Sequence, residues 1–198
     1  MRYARNALAL VWILIGPALI APAWSQAPVA KDGNPEGGGV RGSIVEDRAA
    51  KKLVEAGDAR YEAEETNKAV EIWKSVIERY PRSKARFDAH LRLGNYFLNR
   101  DRSYDRARAH FESAAIEENR DDEQRAEATL KTGICYYQAR NYGKCFQVMR
   151  DVIEKFPVSA QVNEAYYYVG LGHFQLGHYS RAIAALERVG TTLSGDEA

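Results

Sequence analysis

The chain has 198 residues, and its 28 lysines and arginines against 27 aspartates and glutamates leave a formal net charge of +1. With the signs interspersed, this balance offers no footprint for nucleic acid or an anionic membrane surface as the partner. Two cysteines are too few for a disulfide-stapled scaffold.

At the amino terminus Arg2 and Arg5 stand without an acid before an apolar run from Ala7 to Ala21, broken only at Gly16-Pro17 and followed by the small residues of APAWSQA. This is the layout of a cleaved secretory signal over residues 1–25, and the run is short for a bilayer span. Cleavage after Ala23, Ser25 or Ala27 leaves small residues where the peptidase reads, although Pro28 disfavours the last; the alternative is an uncleaved anchor. No cysteine precedes Cys135 to accept a lipid, so the expectation is an exported, periplasmic or secreted protein that is not a lipoprotein. Removal of Arg2 and Arg5 leaves 26 basic against 27 acidic residues, a net charge of about −1.

Residues 26–43 form a Gly/Pro-rich linker. Their glycines are no phosphate loop, because no strand precedes them and no Gly-Lys-Ser/Thr follows. Ser43 and Glu46 have capping-box spacing, and helical periodicity then predicts helices near 44–63, 67–79, 84–99, 104–117, 121–139, 142–155, 160–176 and 179–190, with Ser83 and Ser159 as candidate N-caps. A polar tail occupies 191–198.

The helical part repeats. Small residues recur at Ala69, Ala107, Cys145 and Ala182, spaced 38, 38 and 37; bulky ones recur at Trp73, Phe111, Met149 and Leu186; glycines recur at Gly57, Gly94, Gly133 and Gly170. Tyr104, Tyr142 and Tyr179 form a further column, and Tyr80-Pro81 returns as Phe156-Pro157. Such columns predict an all-α fold, an α-solenoid of four helical hairpins at 44–81, 82–120, 121–157 and 158–190. Each glycine is expected to face the small residue of the second helix, with the bulky column filling the space between hairpins. Cys135 and Cys145 are expected to be separate, buried, reduced thiols.

These residues resemble the tetratricopeptide repeat: Gly170, Tyr179, Ala182 and Leu186 fit its pattern, as do Gly57, Ala69, Trp73 and Pro81, and Gly133, Tyr136, Tyr142 and Pro157. The second copy departs, with a longer turn at Asp101-Arg102-Ser103 and Glu118-Asn119-Arg120 in place of the closing proline. The period exceeds the family's usual 34 residues, which is similar to repeats in BamD-type outer-membrane assembly lipoproteins and YbgF-type Tol-Pal coordinators.

The sequence offers little for chemistry. His90, His110, His173 and His178 show no metal-binding spacing, Gly170-Leu171-Gly172 lies within a helical period, and Asp121-Asp122-Glu123 sits at a helix start, where acids suit the dipole. No enzyme, cofactor or metal is expected. The resemblance implies that first helices line a concave face for a peptide or partner protein. Counting from the glycines places there Tyr61 and Glu62, Asn95, Leu98 and Asn99, Glu127, Tyr137 and Gln138, and Glu164, Tyr167, Phe174 and Gln175. Tyr137 and Tyr167 are the expected anchors, with Asn99 and Gln138 bonding a ligand backbone. With Val54, Leu91, Leu130 and Tyr167 at the inward turn, a carboxylate-clamping chaperone cofactor is set aside. The expected function is a non-enzymatic interaction scaffold of the bacterial cell envelope; the alternative is the amino-terminal part of a larger envelope enzyme or receptor. Ile183, Leu186 and Val189 form an open apolar stripe through which self-association is a further expectation.

Overall fold

The structure, a computed structural model, describes residues 43–191. The signal, nearly all of the linker and residues 192–198 of the tail lie outside the described residues. Among the described residues eight helices follow one another: α1 (Ile44–Glu62), α2 (Thr66–Arg79), α3 (Ala85–Asn99), α4 (Tyr104–Ala114), α5 (Asp122–Gln138), α6 (Tyr142–Lys155), α7 (Gln161–Gln175) and α8 (Tyr179–Leu186). They pair as the hairpins α1–α2, α3–α4, α5–α6 and α7–α8, and each first helix also packs on the hairpin before it. This is the expected solenoid of four hairpins.

The ends of the helices follow from particular side chains. Ser43 Oγ accepts the Glu46 N–H while the Glu46 carboxylate accepts the Ser43 N–H, completing the capping box. Asp121 Oδ1 accepts the Gln124 N–H at the start of α5. Tyr80 and Phe156 end α2 and α6 with nearly identical backbone angles, φ −127 and −128, and the prolines after them stop both helices. Ser83 and Ser159 are buried in the turns that follow, each accepting the N–H two residues on, at Ala85 and Gln161. In the second repeat Asn119 takes over. It is buried, its amide donates to Ala114 O and Gln124 Oε1, and its carbonyl accepts the Asp121 N–H. By drawing off the Ala114 carbonyl it ends α4 three residues earlier than the periodicity predicts.

The glycines do not face the small column. A Cβ on Gly57 or Gly94 would strike the Trp73 or Phe111 ring, one on Gly133 would lie 2.6 Å from Met149 Cε, and one on Gly170 would lie 2.5 Å from Leu186 Cγ. The bulky residue of each second helix therefore lies flat across the glycine of its own hairpin, and Ala69, Ala107, Cys145 and Ala182 are buried beside it. Turns within hairpins use left-handed backbone at Glu64, Arg102, Arg140 and Gly177, so only the fourth supplies the residue that favours it.

Cys135 packs with the core of the first two hairpins and Cys145 with that of the last two. Both are free and buried, and burial pushes both thiols up to about 12, which makes them poor nucleophiles. Among the described residues no helix is long and apolar enough to cross a membrane. Gly143 lies in the first turn of α6 with open space where a Cβ would go. Gly143→Ala is expected to raise stability by about 0.5 kcal/mol, read as a higher urea midpoint at unchanged slope.

Candidate functional site

The first helices present a polar face. Two hollows, of about 490 and 500 Å3, open along it, and Asn95, Asn99 and Lys131 line both and join them into one groove. Asp58, Tyr61, Glu62, Trp73, Arg92 and Tyr96 complete the first hollow; the second continues over Leu98, Arg102, Tyr104, Ile134, Gln138, Glu164 and Tyr168. Relative to the glycine of each repeat, the lining residues fall two before it (Arg92, Lys131, Tyr168), one after it (Asp58, Asn95, Ile134) and five after it (Glu62, Asn99, Gln138), which is one stripe of a 3.6-residue helix.

Hydrogen bonds tie the floor of the groove together across repeats. Arg92 forks onto Asp58, with Nε 3.0 Å from Oδ1 and Nη2 3.1 Å from Oδ2, and Trp73 Nε1 donates to the same carboxylate at 3.2 Å. Hydrogen bonding to Asp58, then its charge, holds the Arg92 guanidinium above its ordinary pKa despite burial. Lys131 Nζ reaches Asn95 Oδ1 at 2.8 Å and Glu127 Oε1 at 2.6 Å. Away from the lining residues, in the first turns of the first helices, Gln124 Nε2 donates to Asp88 at 2.7 Å, and Gln161 Nε2 to Glu123 at 2.9 Å. Burial raises the Asp88 carboxyl, with the Gln124 bond acting against it. The pairs Arg92–Asp58, Lys131–Asn95, Gln124–Asp88 and Gln161–Glu123 are 34 to 38 residues apart, one repeat length, so they tie the first helices of successive repeats to one another.

Of the eight residues singled out by sequence, Tyr61 lines the first hollow, Asn95 and Asn99 line both, and Gln138 lines the second. Tyr137 is half-buried among the rings of Tyr142 and Tyr168, with centroids 5.7 and 5.3 Å away. Burial, then the neighbouring tyrosines, pushes its phenol up, while a hydrogen bond from Gln175 acts the other way. Tyr167 and Phe174 are exposed at the end of the stack, Phe174 against Tyr179 at 5.8 Å.

The inward turn needs correction. Val54, Leu91 and Leu130 are buried in the core; the residues facing the groove one position later are Arg92, Lys131 and Tyr168. Cations therefore do stand in the groove, contrary to the ground on which a carboxylate clamp was set aside: Asp58 and Glu127 neutralise Arg92 and Lys131 in place, and Arg102 lines the second hollow as well. Taking residues one, four and five after the glycine and three and six before it as inward caught Asn95, Asn99 and Gln138 but left out Asp58 and the position two before the glycine, where Arg92, Lys131 and Tyr168 stand. Charged residues spaced one repeat apart would have marked the true stripe.

Sequence spacing also missed a histidine pair. His90 and His110 meet across the α3–α4 hairpin with their Nδ1 atoms 3.0 Å apart. No third donor joins them, and among the described residues no group of three or more His, Cys, Asp or Glu side chains could hold a metal ion.

A family model described as tetratricopeptide repeat matches residues 54–122 and 91–160. No curated protein matches the chain.

Proposed function

The chain belongs to the tetratricopeptide repeat family, whose repeats generally mediate protein–protein interaction, and from that premise we propose a non-enzymatic scaffold of the bacterial cell envelope that holds a segment of a partner protein in the first-helix groove. The observation that carries this reading is the continuity of the two hollows through Asn95, Asn99 and Lys131. An extended segment exposes an N–H and a C=O at every residue. The Asn99 and Gln138 amides, each donor and acceptor together, and the Tyr61 and Tyr168 rings answer both its backbone and its apolar side chains. Export is supported by the arginine-flanked apolar run over 7–21, and the envelope by the long repeat period, similar to that of BamD-type and YbgF-type proteins.

Site-specific photo-crosslinking separates this groove from the rest of the surface. A crosslinker at position 99 or 138 is expected to capture a protein partner that one at exposed Arg150, on a second helix, does not. Asn99→Ala should weaken binding of that partner by about 1 kcal/mol without moving the melting temperature, since Asn99 is exposed. Equal capture from position 150, or undiminished binding by the variant, would place the site elsewhere.

A further inference from the structure

The last hairpin exposes what every earlier hairpin buries. Trp73, Phe111 and Met149 form one column on the second helices, Val76, Ala114 and Val152 another, and all six are at most 2 % exposed. The next members, Leu186 and Val189, are 38 % and 40 % exposed, with Ile183 beside them at 58 %. On α7, Tyr167 continues the buried column of Val54, Leu91 and Leu130 yet is 45 % exposed, and Phe174, in the column of the half-buried Tyr137, is 56 % exposed.

One repeat earlier, the same five columns form the floor on which α7 sits. Leu130, Met149 and Val152 share a buried cluster with Ala165 of α7. Tyr137 meets Tyr168 at 5.3 Å. Phe146 lies under Gly172, whose absent Cβ would be 2.6 Å from its ring, and stacks on His173 at 4.3 Å. The molecule therefore shows what covers this kind of floor: a helix with small residues where α7 has Ala165 and Gly172.

We propose that Tyr167 and Phe174 of α7, with Ile183 and Leu186 of α8 and Val189 in the turn after it, form a docking cradle for an amphipathic helix of another protein that presents such a stripe of small residues. The cradle continues an interface that the fold already uses three times, at α2–α3, α4–α5 and α6–α7. A second copy of the chain is a poor occupant. The stripes of its α3, α5 and α7 are already buried, and its α1 carries exposed Lys52 in the column where Ala89, Ala128 and Ala165 are fully buried, so stacking end to end would drive an ammonium into an apolar cradle. This surface adjoins the groove where the Tyr167 ring meets that of Tyr168 at 5.7 Å, but Ile183 belongs to the cradle alone and Asn99 to the groove alone, so the two can fail independently.

The test uses the full chain and, as probe, a labelled synthetic peptide spanning residues 157–177 with two carboxy-terminal lysines for solubility, followed by fluorescence anisotropy. Saturable binding is expected, weakened roughly tenfold or more by Ile183→Asp and unchanged by Asn99→Ala. Because Ile183 is more than half exposed, the variant should keep wild-type helicity. Should it not, the peptide variant Ala165→Glu, which puts a charge on the small stripe, must lose binding to the unaltered chain by a similar factor. Absence of saturable binding, or binding indifferent to both changes, overturns the proposal. So does a dimer of the chain in light scattering that Ile183→Asp dissociates while the peptide fails to bind, since the occupant would then be a second copy.

Discussion

Gly94→Leu is expected to destabilise the protein by about 3 kcal/mol, and Phe111→Ala by about 3–5 kcal/mol, yet the double variant should lose at least 1 kcal/mol less than the sum. The reason is a single contact. The Phe111 ring is fully buried and lies across the backbone at Gly94, where a Cβ would overlap its edge; a ring has no flexible end to move aside, so added carbon must separate α3 from α4. Removing the ring leaves a cavity at the same place, which the leucine of the double variant partly fills. Residues in contact show such coupling and distant ones do not. Gly133→Leu is the control, because its neighbour is the mobile methyl end of Met149; it should cost roughly half as much. Urea denaturation of the four variants decides the matter, and strict additivity of Gly94→Leu and Phe111→Ala would show that the two sites do not touch.

The same contact shows how far the sequence could be read. The columns of glycine and large residues announce the hairpins and place the helices to within a few residues, because a period of 37 to 39 leaves little freedom in how the elements pair. Those columns do not say which residue meets which. Glycine opposite alanine and glycine opposite a ring both satisfy close packing, and the register of the hairpin selects the second. Helix ends drifted where a side chain replaced the expected breaker: no proline closes α4, and the Asn119 amide bonds that end it depend on Ala114, Gln124 and Asp121 being brought together.

The groove was less legible for a related reason. An inward face is a stripe about 100° wide, and an error of one residue rotates the choice by that whole width. Asn95, Asn99 and Gln138 fall on the stripe that lines the hollows. Tyr167 falls one residue before Tyr168, which does line the groove, and so belongs to the end of the stack. Aromatic residues attracted attention as anchors, whereas the pairs Asp58–Arg92 and Glu127–Lys131, which shape the groove, look like ordinary surface charges until the repeats are stacked.

Acidification from pH 7.5 to 5 is expected to lower stability, with His90 contributing about 2 kcal/mol by pH 4. Burial, then His110, then Arg86 depress the His90 imidazole from its ordinary 6.5 to about 4, and burial, Arg106 and Lys74 depress His110. Lys74 on α2, Arg86 on α3 and Arg106 on α4 thus surround the pair with positive charge. At 3.0 Å between Nδ1 atoms, one ring must donate its N–H and the other accept it. A second proton on the pair would set two N–H groups against each other. The unfolded chain titrates its histidines near 6.5, so below that pH it binds protons that the folded chain refuses, and folding weakens as pH falls. The full stabilisation is present above about pH 7 and drains away between roughly 6.5 and 4. A depression of this size corresponds to about 3 kcal/mol at most, reduced to about 2 because the site is partly open to solvent. His173, also depressed by burial and then by Arg181 and His178, adds in the same direction, whereas Asp88, raised by burial, titrates in the opposite sense lower on the scale. Melting temperatures at pH 7.5 and 5 for the wild type, His90→Gln and His173→Gln separate these contributions. His90→Gln should flatten the dependence most, and a wild-type slope that this variant leaves unchanged would show that the pair can take up a second proton without opening the α3–α4 hairpin.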